Sequence, residues 1–180
     1  MIIIGIDPSL TSTGIVSVNE FGIILTSEAV KSKLFGVKRL SDIKEQMIPK
    51  VRYDADEGEE TMVFIEGYSY GSLNNREILG ELGGMIRLML FEQEIPFIDV
   101  APTSLKKFVT GKGNADKIAM ALGIQKTWGK DFETTDQADA FALCQLGLAY
   151  MELIPDPPVF RQEVIAGMKA PKVKKKKVKK

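Results

Sequence analysis

The chain has 180 residues, 44% hydrophobic and 27% charged, ordinary for a soluble globular protein and enough for one compact domain with a substantial core. It has no histidine and one cysteine, Cys144, which excludes Ser-His-Asp and Cys-His catalysis, His-based zinc sites and internal disulfides, so any bound metal is expected to sit mainly on oxygen. The zero net charge hides a division: residues 161–180 carry nine Lys/Arg against Glu163, whereas residues 1–160 carry 15 basic and 23 acidic residues, a pattern that suggests a polyanionic partner.

The run Ile2-Ile3-Ile4 predicts a fully buried strand. It ends at Asp7, and Pro8 stops further ladder pairing there. The carboxylate is thus left beside a hydroxyl-rich turn (Ser9, Thr11, Ser12, Thr13) closed by Gly14. Ile15 to Val18 and Ile23 to Ala29 predict two more strands around a short turn, an antiparallel meander. Leu34, Val37, Leu40, Ile43, Met47 and Val51 recur at helical spacing and predict an amphipathic helix over 34–52. The acidic stretch 54–60 reads as a solvated loop.

Met62 to Ile65 repeats the opening pattern, a buried strand ending on a carboxylate, Glu66. A long helix is predicted over 74–93. Glycine in a helix costs about 1 kcal/mol relative to alanine, so Gly80, Gly83 and Gly84 point to close approach of another helix, in this chain or in a second subunit. Pro96 to Val100 predicts a fifth strand. Pro102-Thr103 opens a short helix with Leu105, Phe108 and Val109 inward. After the turn Thr110–Asn114, with Asn114 as N-cap, comes a helix over 115–126. The last helix, about 135–152, turns Ala138, Phe141, Ala142, Gln145, Leu146 and Ala149 to one broad face. Beyond Pro155 the prolines and the lysine run predict no stable fold. The division is therefore 1–154 as one domain and 155–180 as a basic disordered tail. The order β-β-β-α-β-α-β-α-α-α predicts an α/β fold with a mixed five-stranded sheet, three antiparallel strands then two parallel, flanked by helices. No run approaches a membrane span of roughly 20 residues, and no export signal is visible. A reducing cytoplasm is the expected compartment.

Asp136 and Asp139 lie three apart and share a helical face, near the helix start where negative charge is favoured. Capping accounts for one of them, but Asp139 sits among Ala138, Ala140 and Phe141. Asp7, Glu66, Asp136 and Asp139 make four carboxylates whose mutual repulsion asks for cations. Four acids with two Mg²⁺ ions about 4 Å apart suit phosphodiester hydrolysis, and Mn²⁺ is expected to substitute. Gly111 and Gly113 let the backbone approach a phosphate that Lys112 and Lys117 would neutralise.

The stretches GIDPSLTSTG, IEGYSYG, APTSLKKFVTGKGNADK and DQADAFAL, in that order, resemble the RuvC family of Holliday-junction resolvases, a branch of the ribonuclease H-like nucleases. The resemblance implies that Asp7, Glu66, Asp136 and Asp139 are the metal-binding catalytic tetrad. It also implies that Lys106, Lys107, Lys112 and Lys117 contact the DNA backbone. The family works as a homodimer on branched DNA, and the helix carrying Gly80, Gly83 and Gly84 falls where its members pair. They also place an aromatic just after the second acid. Here Tyr68 and Tyr70 flank that position, which Ser69 occupies, so base stacking passes to a tyrosine and any cleavage-sequence preference is open. The lysine tail is not part of the family pattern. With the altered aromatic it suggests a divergent member, such as a bacteriophage one, that can accept three-way junctions and replication forks.

Two other readings stay open at this point. One is a junction-binding protein without catalysis, against which all four acids speak. The other is a phosphate-binding ATPase or kinase-like domain, whose relatives generally need two such domains around the nucleotide.

Overall fold

The computed structural model describes residues 1–52, 59–67, 76–155 and 157–170. Among these the chain runs β1 (Ile2–Asp7), β2 (Thr13–Asn19), β3 (Ile24–Val30), α1 (Gly36–Arg52), β4 (Thr61–Glu66), α2 (Arg76–Glu92), β5 (Phe97–Val100), α3 (Pro102–Thr110), α4 (Lys117–Trp128), α5 (Thr135–Tyr150) and α6 (Val159–Lys169). The strands form one sheet in the order β3-β2-β1-β4-β5. β1 pairs antiparallel with β2, and β2 with β3, while β1–β4 and β4–β5 are parallel. This is the mixed sheet that the order of elements predicts.

The sheet is covered on both faces, and the period-2 alternation of β1 decides which residue goes where. Ile2, Ile4 and Ile6 join Ile43, Met47, Leu82, Ile86 and Met89 under α1 and α2. Ile3 joins Phe64, Val16, Phe108, Phe141 and Leu143 under α3, α4 and α5. α5 is the central helix. Every residue from Ala140 to Ala149 is buried, so its apolar character is not confined to one broad face. A helix apolar all round is one enclosed on all sides. Gly5 and Gly147 permit this closeness: a β-carbon on Gly5 would lie 1.9 Å from the Ala140 carbonyl oxygen, and one on Gly147 would lie 2.6 Å from Ile3 and Phe64.

Two expectations need correction. The fourth helix is capped by Asp116, whose side chain accepts from Ala119 N at 2.8 Å, and not by Asn114. Lys117 thereby becomes its first residue. The predicted tail begins too early, because residues 159–169 form α6, with Val164 and Ile165 buried on the α5 side of the sheet. Its anchor is Arg161, 6% exposed. The guanidinium lies 4.6 Å from the Trp128 ring centroid and 5.0 Å from that of Phe108. Its Nε donates to the Phe108 carbonyl at 2.9 Å. Lys107–Glu163 and Lys169–Glu152 ion pairs flank it. Propensity alone gives no strong helix here; the tertiary contacts hold it. Residues 171–180, with the lysine run, lie outside the described residues.

The glycines of α2 divide. Gly83 is buried within the chain and its carbonyl accepts from Arg87 at 2.8 Å. Gly84 is exposed, and a β-carbon on half-buried Gly80 would meet nothing within 4 Å. Ile78, Leu88 and Phe91 expose apolar surface on the same helix. No helix among the described residues is long and apolar enough to cross a membrane.

Candidate active site

Parallel pairing in register brings the first two carboxylates together. Ile6 lies opposite Ile65, so the next residues, Asp7 and Glu66, end adjacent strands at the same edge of the sheet. The end of β4 is pinned by Gly67 N, which donates to the Val100 carbonyl at 2.7 Å. Arg87 of α2 reaches from Gly83 to Asp99 of β5, with its guanidinium 3.5 Å from the Glu66 carbonyl.

The other two acids come from α5. Thr134 caps this helix by accepting from Gln137 N at 3.2 Å, which places Asp136 in the first turn and Asp139 one turn on. The Gly5–Ala140 contact holds this turn against β1. In consequence one carboxylate oxygen each from Asp7, Glu66 and Asp139 lie within 4.8 Å of one another. Asp136 stands outside this trio, at its rim, close enough for its charge to act on both Asp7 and Asp139.

Electrostatics mark the trio as under-compensated. Burial, then the Glu66 charge, then Asp139 and Asp136, push the Asp7 carboxyl well above the usual carboxylate range. Burial raises Asp139 to about 7, Glu66 and Asp136 adding to the shift while Lys117 and Lys106 oppose it. Burial also raises Asp136, against the opposing action of Lys117, the Ser12 hydroxyl and Lys31. Ser12 Oγ is buried and completes no hydrogen bond of good geometry with a described residue, although it lies near enough to Asp136 to act on it. Three converging hard oxygen donors with no salt-bridge partner among the described residues, next to the buried Ser12 hydroxyl, fit a hydrated divalent ion. Asp7, Glu66 and Asp139 are the residues that could hold it, with Asp136 at the rim.

The lysines named from sequence part company. Lys106 of α3 and Lys117 of α4 act on Asp139. Lys107 turns to α6 and pairs with Glu163 at 2.8 Å. Lys112 is exposed in the turn behind α3, where Gly111, at φ 79°, ends the helix in the left-handed conformation that glycine adopts without strain. Tyr68 and Tyr70 lie outside the described residues. Three contributors escaped the sequence reading. Lys31 follows a strand that ends one residue later than predicted, Ser12 was counted only as part of a turn, and Arg161, the anchor of α6, was counted only as tail charge. The later strand end and the pairing Thr13–Val30 are what bring Lys31 to the site edge.

A family model described as crossover junction endodeoxyribonuclease RuvC matches residues 3–145. The protein of that name from Petrotoga mobilis is 29% identical over 158 residues, covering 79% of this chain and 90% of that one. Its counterpart from Bartonella henselae is 30% identical over 160 residues, covering 78% and 85%. Among solved structures, Thermus thermophilus RuvC superposes with a TM-score of 0.64 at 24% identity, covering 85% of this chain and 98% of that one. The same protein in complex with Holliday junction substrate gives 0.64 at 23% identity, covering 84% and 93%. At these identities the superpositions speak to the fold.

Proposed function

The chain belongs to the family of crossover junction endodeoxyribonuclease RuvC, and from that premise we propose that it is a divalent-metal-dependent endonuclease that cuts branched DNA, with Asp7, Glu66, Asp139 and Asp136 as its ion-binding catalytic residues. The observation that carries this reading is the convergence of three carboxylates within 4.8 Å at one edge of the sheet. Mg²⁺ is the ion, with Mn²⁺ able to replace it, because the donors are all carboxylate oxygens.

Ions held by these carboxylates would supply two effects, one lowering the pKa of an attacking water and the other offsetting charge on the leaving oxygen. The chain's own work is placement. β1 and β4 hold Asp7 and Glu66 rigidly at their ends, and α5 closes the trio with Asp139. Lys106 and Lys117 stand beside the carboxylates, where they can receive a phosphodiester and offset its charge. Lys112, exposed in the turn after α3, is free to reach a further phosphate, whereas Lys107 is engaged by Glu163. Tyr68 and Tyr70, just beyond Glu66, supply rings for stacking on a base near the branch.

A second copy completes the enzyme. Leu88 and Phe91, exposed on the same side of α2 as Gly84, make an apolar surface suited to self-pairing. Two sites related by a two-fold axis are what symmetric nicking of a four-way junction requires. The enzyme acts in the cytoplasm, where the buried Cys144 thiol stays reduced.

The deciding experiment is cleavage of labelled four-way, three-way and linear duplex DNA with Mg²⁺ or with EDTA. Paired, metal-dependent nicks in the four-way junction support the proposal. Comparable cutting of three-way junctions widens it to branched DNA in general. Tight junction binding without cutting in Mg²⁺ or Mn²⁺ overturns it in favour of a binding module.

A further inference from the structure

The family assignment and the carboxylate trio leave one charged surface unused. Residues 31–39, Lys-Ser-Lys-Leu-Phe-Gly-Val-Lys-Arg, carry four cations and no acid in a body that is otherwise acidic. They connect the last residue of β3 to the first turn of α1. Val30 pairs with Thr13, and Gly14 of the same strand pairs with Asp7. The segment therefore leaves the sheet at the edge that holds the carboxylates. Strands lie about 4.8 Å apart, so its start stands roughly 10 Å from Asp7, two strands away.

The segment is built, not merely charged. Gln46 donates to the Lys31 carbonyl at 3.1 Å, and Ser32 Oγ accepts from Leu34 N at 3.2 Å. Arg39 Nε donates to the Leu34 carbonyl at 2.7 Å, and its guanidinium lies 5.2 Å from the Phe35 ring centroid. Phe35 is 79% exposed and Val37 80%. With Leu34 44% exposed beside them they make a contiguous apolar patch rimmed by cations, the kind of surface that marks an interaction site. Lys31, Lys33 and Lys38 are exposed around it, and the first turn of α1 has no acidic residue. A helix start free of acids adds its own positive end to those charges.

We propose that residues 31–39 form a second DNA-contacting strap, in which Lys31, Lys33 and Lys38 neutralise backbone phosphates and Phe35, braced by Arg39, stacks on a base at the branch point. The pairing of cations with a braced, exposed ring favours a nucleic acid over a protein, since phosphates and base faces match both halves at once. Lys31 and Lys117 come from different elements, the end of β3 and the start of α4, and both act on Asp136. The strap thus extends the basic face past the carboxylates, on the side away from α3. This inference rests on the branched-DNA reading above.

The test measures affinity for a four-way junction and for linear duplex over a range of salt, with Ca²⁺ in place of Mg²⁺, on the full chain. Lys33→Ala/Lys38→Ala should weaken both DNAs and lower the salt slope by about 2, one per lost phosphate contact. Phe35→Ala should weaken the junction about tenfold while leaving duplex within about twofold. These side chains are exposed, so unchanged thermal unfolding is expected. Wild-type affinity and slope in both variants overturn the strap. A changed sedimentation profile with unchanged DNA binding would make the patch a protein-docking face, and overturns it too. If the wild-type chain neither binds nor cuts a junction, the branched-DNA reading itself fails. Cutting by wild type and by strap variants alike with unaltered binding removes only the strap.

Discussion

Gly14 abuts Asp136: a β-carbon on Gly14 would lie 2.1 Å from the Asp136 carbonyl oxygen and 2.9 Å from Gln137 N. Both sides of this contact are backbone, the start of β2 and the first turn of α5, so neither can turn aside. Gly14→Ala should cost about 3 kcal/mol of stability. It should also slow cleavage about 100-fold by pushing α5 outward. Chemical denaturation and single-turnover cleavage read the two effects separately.

Neutralising one member of the trio should divide stability from activity. Asp7→Asn removes a buried charge facing Glu66 and Asp139, so the metal-free protein should melt a few degrees higher, about 3–6 °C. Loss of an ion ligand removes several kcal/mol of charge stabilisation, or about 1,000-fold in cutting rate. Junction affinity in Ca²⁺ should stay within a few-fold of wild type. Cutting at the wild-type rate would refute the site.

Protons and metal compete at Asp139. Its folded carboxyl titrates near 7, raised from 3.8, so between about pH 4 and 7 the folded state binds more protons than the unfolded one. Stability from this group is present at low pH and is lost as pH rises through 7. In EDTA, wild type should therefore lose melting temperature relative to Asp139→Asn between pH 5 and 8. Mg²⁺ should restore it, and more strongly at pH 8 than at pH 6.

Arg161→Ala should cost about 3 kcal/mol, because it empties a cation site between two rings and frees the Phe108 carbonyl. Deleting 171–180 should leave the melting curve unchanged. It should reduce the salt dependence of binding to junction and duplex alike, since the lysines there act on any phosphate.

Leu88→Glu with Phe91→Glu should produce a monomer in sedimentation, because both side chains are exposed on α2 and charge on an apolar pairing surface is repelled by its symmetry mate. A dimer that survives both changes would place the pairing surface elsewhere.

The sheet and three of its four carboxylate placements were legible because periodicity and topology alone determine them. A buried strand that stops at an acid puts that acid at the sheet edge, and parallel pairing of β1 with β4 makes Asp7 and Glu66 neighbours. Asp139 was legible from its apolar flanks. The rim position of Asp136 was not, since the azimuth of α5 depends on the Gly5–Ala140 and Gly14–Asp136 contacts, which involve residues far apart in sequence. α6 was illegible for a related reason. Its helix is held by an arginine that reads as tail charge until Trp128 and Phe108 are brought around it. Lys107 shows the converse, a cation that sequence assigns to DNA and that a glutamate of α6 engages.

The enclosure of α5 has an evolutionary consequence. The helix that supplies Asp136 and Asp139 is also the keystone of the interior, buried over ten consecutive residues and touching β1 backbone to backbone. A change within the buried run Ala140–Ala149 would unfold the chain before it altered cleavage, whereas Asp136 and Asp139 lie outside that run. The segments proposed to meet DNA carry no such burden: the segment before α1 and the turn around Lys112 are largely exposed. Descendants of this protein can therefore change what they grip, or neutralise a carboxylate, but cannot move the helix that sets the site.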